Sequence, residues 1–74
     1  MATTTETTDA RGREVWHRLA NGEWELEGVA ATETDAVTAA KLLHRSQLAL
    51  YRNRYTEQAR LLARGWALLE MAAA

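Results

Sequence analysis

Few side chains in this sequence have the chemistry of a catalytic or metal-binding group. There are two histidines, His17 and His44, and no cysteine. Glu14 and His17 have the Glu-x-x-His spacing with which helical bundles bind a pair of iron ions, but no second such pair occurs in the sequence. The absence of cysteine excludes disulfides and thiolate metal sites. The sequence therefore predicts no metal site and no cofactor.

Enzymatic chemistry is not expected either. No serine or histidine has an acidic residue at the local spacing of a catalytic triad, and there is no glycine-rich phosphate-binding loop. The chain has only 74 residues, and a domain of this size buries only about 60% of the surface of its unfolded chain. It is too small to enclose a substrate pocket alone. We therefore expect a protein that is not an enzyme and has no small-molecule substrate.

The second half of the chain has the pattern of one long helix that would carry most of the remaining candidate residues. Thr32 and Asp35 form a start signal similar to a capping box, and no proline follows. The apolar positions repeat nearly every eleven residues, which keeps them on one side of an almost straight helix. The pattern predicts an amphipathic helix over residues 33–72. Gly65 either permits a bend in it or lets another helix approach closely.

Residues 10–20 have two interpretations. Asp9 is a suitable N-cap and Asn21-Gly22 is a common helix ending, so together they predict a short helix. The alternative makes Asn21-Gly22 the turn of a β-hairpin. We favour the helix because Val15 and Trp16, both apolar and adjacent, interrupt the alternation of a strand.

The predicted fold class is mainly α. It consists of the short N-terminal helix, a short β strand or hairpin at about residues 23–31, and the long helix with its possible bend at Gly65. Residues 1–8 are threonine-rich and cannot offset their ordering entropy by burial, so we expect a disordered tail there. Residues 9–74 are predicted to form a single small helical domain.

The apolar face of the long helix is larger than the rest of the chain can cover. Forty helical residues span about 60 Å, whereas the first helix is only about 16 Å long. The uncovered end would be a larger apolar patch than monomers tolerate, and its residue types anchor interfaces. We therefore predict an association module, either a homo-oligomer or a small subunit of a larger assembly. The predicted interface residues are Tyr55, Leu61, Leu62, Trp66, Leu69 and Met71.

Polar residues also occur within or beside this apolar face. We interpret them as a polar layer that fixes the register of helix packing, as buried polar positions do in bundles. A small polar pocket, or a switch driven by histidine protonation near neutral pH, is the alternative. The group consists of His44, Tyr51, Arg54 and Gln58.

Charge is distributed unevenly along the chain, whose net charge is −1. Residues 1–34 carry seven acidic side chains and three arginines, whereas residues 35–64 carry six basic and two acidic side chains. Such asymmetry suits an acidic partner or two halves that face each other. We expect the halves to face each other.

Nucleic-acid binding is a further alternative. Lys41, Arg45 and Arg52 would supply the phosphate contacts, and the segment Tyr51–Tyr55 places aromatic residues between arginines. A second basic group, Arg60 and Arg64, would lie roughly 100° away on the same helix. Because the two groups would not share a surface, we expect a solvated or internally paired face instead.

One short stretch resembles a known family. The segment Gly22-Glu23-Trp24-Glu25-Leu26-Glu27-Gly28, followed by Thr32-x-x-Asp35 at the start of a helix, is similar to small phage head–tail joining proteins of the α-hairpin-α kind. The resemblance implies a structural head-completion protein that becomes ordered in a ring. The predicted helix is longer than the helix of that family.

The sequence contains neither a membrane span nor a signal peptide. Charged residues recur every few positions along the predicted helix, so no apolar stretch could cross a bilayer. Residues 1–10 lack the basic start and the apolar stretch of a signal peptide. We expect no membrane partner and a cytoplasmic location, or a location within a phage particle if the resemblance holds.

Overall fold

The computed structural model describes residues 8–72, which form a four-stranded antiparallel sheet and two helices. The fold is therefore α+β, and the prediction of a mainly α protein is wrong. Residues 1–7 of the predicted tail lie outside the described part of the chain, whereas Thr8 is the first residue of a strand. The elements are β1 (Thr8–Arg11), β2 (Glu14–Arg18), β3 (Trp24–Ala30), α1 (Glu33–Tyr51), α2 (Tyr55–Ala67) and β4 (Leu69–Ala72), and the strand order in the sheet is β1-β2-β3-β4.

A β-hairpin replaces the predicted N-terminal helix. Arg11 pairs with Glu14 across a two-residue turn, and Gly12 has a φ of 62°. Glycine with positive φ at the first central position is the arrangement of a type II′ turn, whose twist suits a hairpin. Val15 and Trp16 do not interrupt the alternation of β2, because they point to opposite faces of the sheet and both faces carry apolar residues.

The Asn21-Gly22 pair ends a strand, not a helix. The backbone N–H of Gly22 donates to the carbonyl of Leu19 at 2.9 Å, the N–H of Leu19 donates to the carbonyl of Glu23 at 2.7 Å, and Gly22 has a φ of 90°. This is a three-residue hairpin loop that ends on a left-handed glycine. With this loop, Arg18 pairs with Trp24. A two-residue turn at Asn21-Gly22 would have paired Arg18 with Glu25, so the observed register differs by one residue.

The predicted helix over residues 33–72 is two helices and a strand. α1 begins where the cap signal predicts, since the Thr32 hydroxyl accepts a hydrogen bond from the Asp35 N–H at 3.0 Å. It ends in a Schellman motif: Asn53 has a φ of 59° and donates to Leu50, while the Arg54 N–H donates to the carbonyl of Ala49 at 2.8 Å. Asparagine is one of the few residues that tolerate this left-handed position.

After this break, α2 folds back along α1. Gly65 lies within α2 and does not mark a bend; it lets α2 approach α1 closely. A Cβ atom at this position would lie only 2.8 Å from Cδ2 of Leu43 on α1. α2 ends at Ala67, and β4 then pairs with β3 through Val29 and Met71. Neither described helix combines the length and apolar character needed to cross a membrane.

The core lies between α1 and one face of the sheet. It is built largely from small side chains, so α1 packs close to the strands. α1 contacts all four strands, whereas α2 contacts α1 and β4. The buried core cluster consists of Val15, Ala30, Ala36, Ala39, Ala40 and Leu43, with Ala10, Leu62, Leu68 and Leu69 packed against it.

Candidate interaction surface

The face of the sheet that points away from α1 carries large apolar side chains. Val15 points into the core, so its neighbour Trp16 points the other way. Trp16 pairs with Leu26, Glu14 pairs with Val29, and Val29 pairs with Met71. Glu14 and Trp16 are two positions apart on β2 and share a face. Because the register shifts between Val15 and Trp16, where β3 has one extra residue, Leu26 and Val29 lie on that face as well. Both helices pack on the opposite side, so no element within residues 8–72 covers them. We call this surface the open face; its apolar members are Trp16, Trp24, Leu26, Val29 and Met71.

Arg11 organises the two tryptophans of the open face. Its guanidinium carbon lies 4.9 Å from the ring centroid of Trp24 and 5.4 Å from that of Trp16. Both distances are within the range of cation–π attraction. Asp9 adds an ion pair to the Arg11 guanidinium at 3.6 Å, and the Trp16 indole N–H donates to Glu14 at 3.1 Å. The tryptophans are thus held in place by side chains of the same face.

The strand register places two acidic and two basic side chains on the open face. Asp9 and Glu14 are acidic, while Arg11 and Arg18 are basic. Cross-strand pairing puts Glu14 beside Arg11 and Arg18 beside Trp24. The surface is therefore an apolar centre with charges of both signs around it, which is the general pattern of a protein interface.

The predicted interface residues do not form one surface. Leu62 and Leu69 pack against the core, and Leu61 lines a groove between α1 and α2. Trp66 is 52% exposed on α2, whereas Met71, 65% exposed, belongs to the open face. Tyr55 is exposed at the start of α2, where its hydroxyl donates to the Asn53 side chain at 2.9 Å.

The four residues of the predicted polar layer are also dispersed. His44 lies beside β1 at a cavity of about 190 Å³, and its Nδ1 is buried without a hydrogen-bond partner in the described structure. Tyr51 is 79% exposed and lines a different cavity, beside His17. Arg54 forms an ion pair with Glu57 at 3.6 Å. Gln58, the fourth member, is half-buried on α2.

The basic residues predicted as nucleic-acid contacts lie on the helical layer. Arg45 and Arg52 line the groove between α1 and α2, together with Arg54. Lys41 is exposed one turn before Arg45 on the same side of α1. None of the three predicted contacts touches the open face, so the helical layer and the open face are separate surfaces.

Glu14 and His17 do not share a surface. They are three positions apart on β2, so they point to opposite faces of the sheet. The Glu-x-x-His spacing puts both side chains on one face only when the segment is a helix. Within residues 8–72, no three histidine, aspartate or glutamate side chains come together as a metal site requires.

The sequence interpretation missed Arg11, Trp16 and Trp24 as members of one site. Two signals could have identified it: the Arg11-Gly12-Arg13 turn, and an alternation in which both faces are apolar. A helical interpretation of residues 10–20 contains no sheet in which Arg11, Trp16 and Trp24 could share a face, so it hides their proximity.

Comparison with known proteins adds no family to these observations. The similarity to phage head–tail joining proteins depends on residues 22–35 alone and stays a prediction. No protein-family model matches the chain, and neither a curated protein nor a solved structure matches it at a significant level.

Proposed function

We propose that this protein is a non-enzymatic association module that binds a second copy of itself through the open face. The observation that carries the proposal is the stack of Trp16, Arg11 and Trp24 on a face that no described element covers. Tryptophan and arginine are the residues most enriched among those that dominate binding energy at protein interfaces.

The open face suits a protein partner because its key side chains are already ordered. Binding usually loses free energy when long side chains are immobilised. Here Arg11 is held by Asp9 and by two indole rings before any partner arrives. Met71 is exposed and the other four apolar members of the open face are half-buried. Apolar surface that stays accessible on one side of a sheet is a feature of interaction sites.

The charge pattern supports a second copy as the partner. A two-fold axis places the same surface on both sides of an interface, so the surface must complement itself. Asp9 and Glu14 can then meet Arg11 and Arg18 of the other copy. A large excess of one charge on a face would repel its own copy, whereas Asp9, Glu14, Arg11 and Arg18 carry equal numbers of both charges.

The open face is small for a dimer interface. Four strands about 4.8 Å apart are about 19 Å wide, and the seven residues of β3 span roughly 23 Å, whereas the other strands have only four or five residues. Two such faces would bury at most roughly 900 Å², below the ~1,000 Å² that specific interfaces usually exceed, so we expect a weak dimer. Two sheets would pack about 10 Å apart, with the helical layers outside.

The test is the mass in solution at tens of micromolar, measured by light scattering after size exclusion. The wild-type chain should have twice its monomer mass of 8.3 kDa. Met71→Glu should reduce the mass to that of a monomer, because it puts a charge into the apolar centre from an exposed position that the fold does not need. Trp24→Gln should do the same by removing an anchor.

Trp66→Gln is the matched control, since Trp66 is half-exposed on α2 and far from the open face. It should leave the mass unchanged. A wild-type chain that elutes as a sharp monomer would refute the proposal. Dissociation by Trp66→Gln but not by Met71→Glu would move the interface to the helical surface.

A further inference from the structure

The charge asymmetry of the sequence corresponds to the two layers of the fold. Residues 33–67, which contain both helices, carry six basic and three acidic side chains. The strands and their turns, residues 8–30 and 69–72, carry three basic and six acidic side chains. The helical layer therefore has a net charge of +3 and the sheet layer −3. Two of the three acids of the helical layer, Glu33 and Asp35, lie in the first turn of α1.

Within residues 8–72, no ion pair joins the two layers. The ion pairs of the described residues are Arg11–Asp9 and Arg13–Glu70 within the sheet layer, and Arg54–Glu57 within the helical layer. The helical layer and the sheet layer thus pack against each other without an ion pair between them among residues 8–72. Five basic side chains of the helical layer have no ion-pair partner there: Lys41, Arg45, Arg52, Arg60 and Arg64.

The break at Asn53 brings the two basic groups of the sequence onto one layer. One group is Lys41, Arg45 and Arg52 on α1, and the other is Arg60 and Arg64 on α2. On a single straight helix they would lie on separate flanks. With α2 folded back beside α1, the side of α2 that carries Glu57 forms the second wall of the groove. Arg64 follows Glu57 by seven residues, so it lies on that same side two turns later. Basic residues thus line the surface from both helices.

The residues that line the groove between the helices are of types suited to binding an anion. The groove has a volume of about 300 Å³, and Arg45, Arg52 and Arg54 all line it. Its apolar lining residues are Leu48, Ala49 and Leu61, and Glu57, already paired with Arg54 at 3.6 Å, is its one acidic residue. Arginine is the side chain best suited to phosphate, because its planar group donates two parallel hydrogen bonds.

Two exposed aromatic residues lie at one end of this surface, on either side of the turn that contains Arg52 and Arg54. Tyr51, which also lines the cavity beside His17, is 79% exposed and Tyr55 is 61% exposed. Neither tyrosine lines the groove itself. Aromatic side chains beside arginines are what proteins use to stack unpaired bases while the backbone is held electrostatically. A duplex offers no free base faces, so exposed tyrosines favour a single strand.

We propose that the helical layer binds single-stranded nucleic acid. Lys41, Arg45, Arg52 and Arg64 contact phosphates, and Tyr51 and Tyr55 stack on bases. The surface lies on the side of the molecule opposite the open face, so it stays accessible in a dimer and does not depend on one.

The proposal is tested by fluorescence anisotropy with four labelled ligands. They are a 15-nucleotide oligothymidine, an oligouridine of the same length, a DNA duplex and dextran sulfate. Each phosphate contact on a single strand contributes a slope of about −0.7 to the dependence of log affinity on log salt. Three or four contacts thus predict a slope of about −2 to −3. Arg45→Gln with Arg52→Gln should weaken single-strand binding at least tenfold and reduce that slope by about 1.4.

Tyr51→Ala with Tyr55→Ala should weaken binding of the oligonucleotides but not of dextran sulfate, which has no bases. Arg13→Gln is the control, because Arg13 is an exposed arginine in the turn between β1 and β2 and does not belong to the helical layer. It should change affinity less than twofold. No binding of either oligonucleotide at low salt would refute the proposal, as would tighter binding of the duplex. Equal losses in the Arg13→Gln and double arginine variants, or tyrosine variants without effect, would also overturn it.

Discussion

The two faces of the sheet contrast in the size of their side chains. On the covered face, Val15 and Ala30 are fully buried against α1, which contributes mainly alanines. On the open face are two tryptophans, a leucine, a valine and a methionine. The largest apolar side chains of the sheet are thus on the side that no described element covers.

We interpret this difference as two different tasks of the two faces. Small residues on the covered face let a helix approach closely, and the close packing compensates for the small apolar area of each side chain. On the open face, Met71 is exposed and the other large apolar residues are half-buried, so part of their apolar area stays in contact with solvent. The proposed second copy would bury this remaining area, and Trp and Arg are residue types that anchor interfaces.

The sharpest test of the contrast is the same substitution on each face. Val15→Asn would bury an amide without partners and lose the apolar burial of valine, so we expect a loss of about 3–5 kcal/mol in the free energy of unfolding. Val29→Asn, on the open face, should cost less than about 1 kcal/mol, because the amide stays in contact with water. Urea unfolding followed by circular dichroism measures both.

Both variants should be made together with Met71→Glu, so that association does not add to stability. Similar losses at the two positions would show that the open face is part of the core of the folded chain. The contrast between the faces would then have no functional meaning.

A second test addresses how tightly the covered side is packed. Gly65→Val would place carbon atoms within 2.8–2.9 Å of the Leu43 side chain, which is itself buried. Overpacking of this kind costs about 1–3 kcal/mol, and we expect about 2 kcal/mol here by thermal unfolding. Ala63→Val, on an exposed position of the same helix, should cost only about 0.5 kcal/mol through helix propensity. Equal effects would mean that α1 and α2 are loosely packed.

The parts of the fold that could be predicted are those with local causes. The Thr32–Asp35 cap predicts the start of α1 at Glu33, and β3 lies within the segment 23–31 that alternation predicts. Both depend on residues within a few positions of each other.

The errors arise where a local pattern has two physical meanings. Asn53 follows a run of good helix formers and is compatible with a helix interior. Its left-handed conformation, which ends α1, is stabilised by the packing of α2 back along α1. Similarly, Leu69-Glu70-Met71 continues a helical stripe, yet β3 has an edge to which it adds as a strand. These outcomes are decided by tertiary contacts, which local patterns do not contain.

The candidate site was hidden for the same reason. Trp16 and Trp24 are eight positions apart, and Arg11 comes before both. A β-hairpin with a three-residue loop brings the two indoles to one face, whereas a helix ending at Gly22 would separate them. The secondary structure of residues 10–20 therefore had to be known before the site could be recognised.

The smallest effect is expected within the open face, where Arg11 holds the two tryptophans. Arg11→Met keeps the length of the side chain but removes the charge that lies 4.9 Å from the Trp24 ring. At a half-exposed site we expect a loss of about 0.5–1 kcal/mol in the free energy of unfolding. Tryptophan fluorescence should also shift to longer wavelength, because the indole faces lose their cover and meet water.

Arg18→Met is the matched control, since Arg18 is on the same face, but neither of the two described cation–π contacts involves it. It should change stability and fluorescence little. Equal effects of the two variants would show that the tryptophans hold their positions without Arg11, and the open face would then be ordered only by its partner.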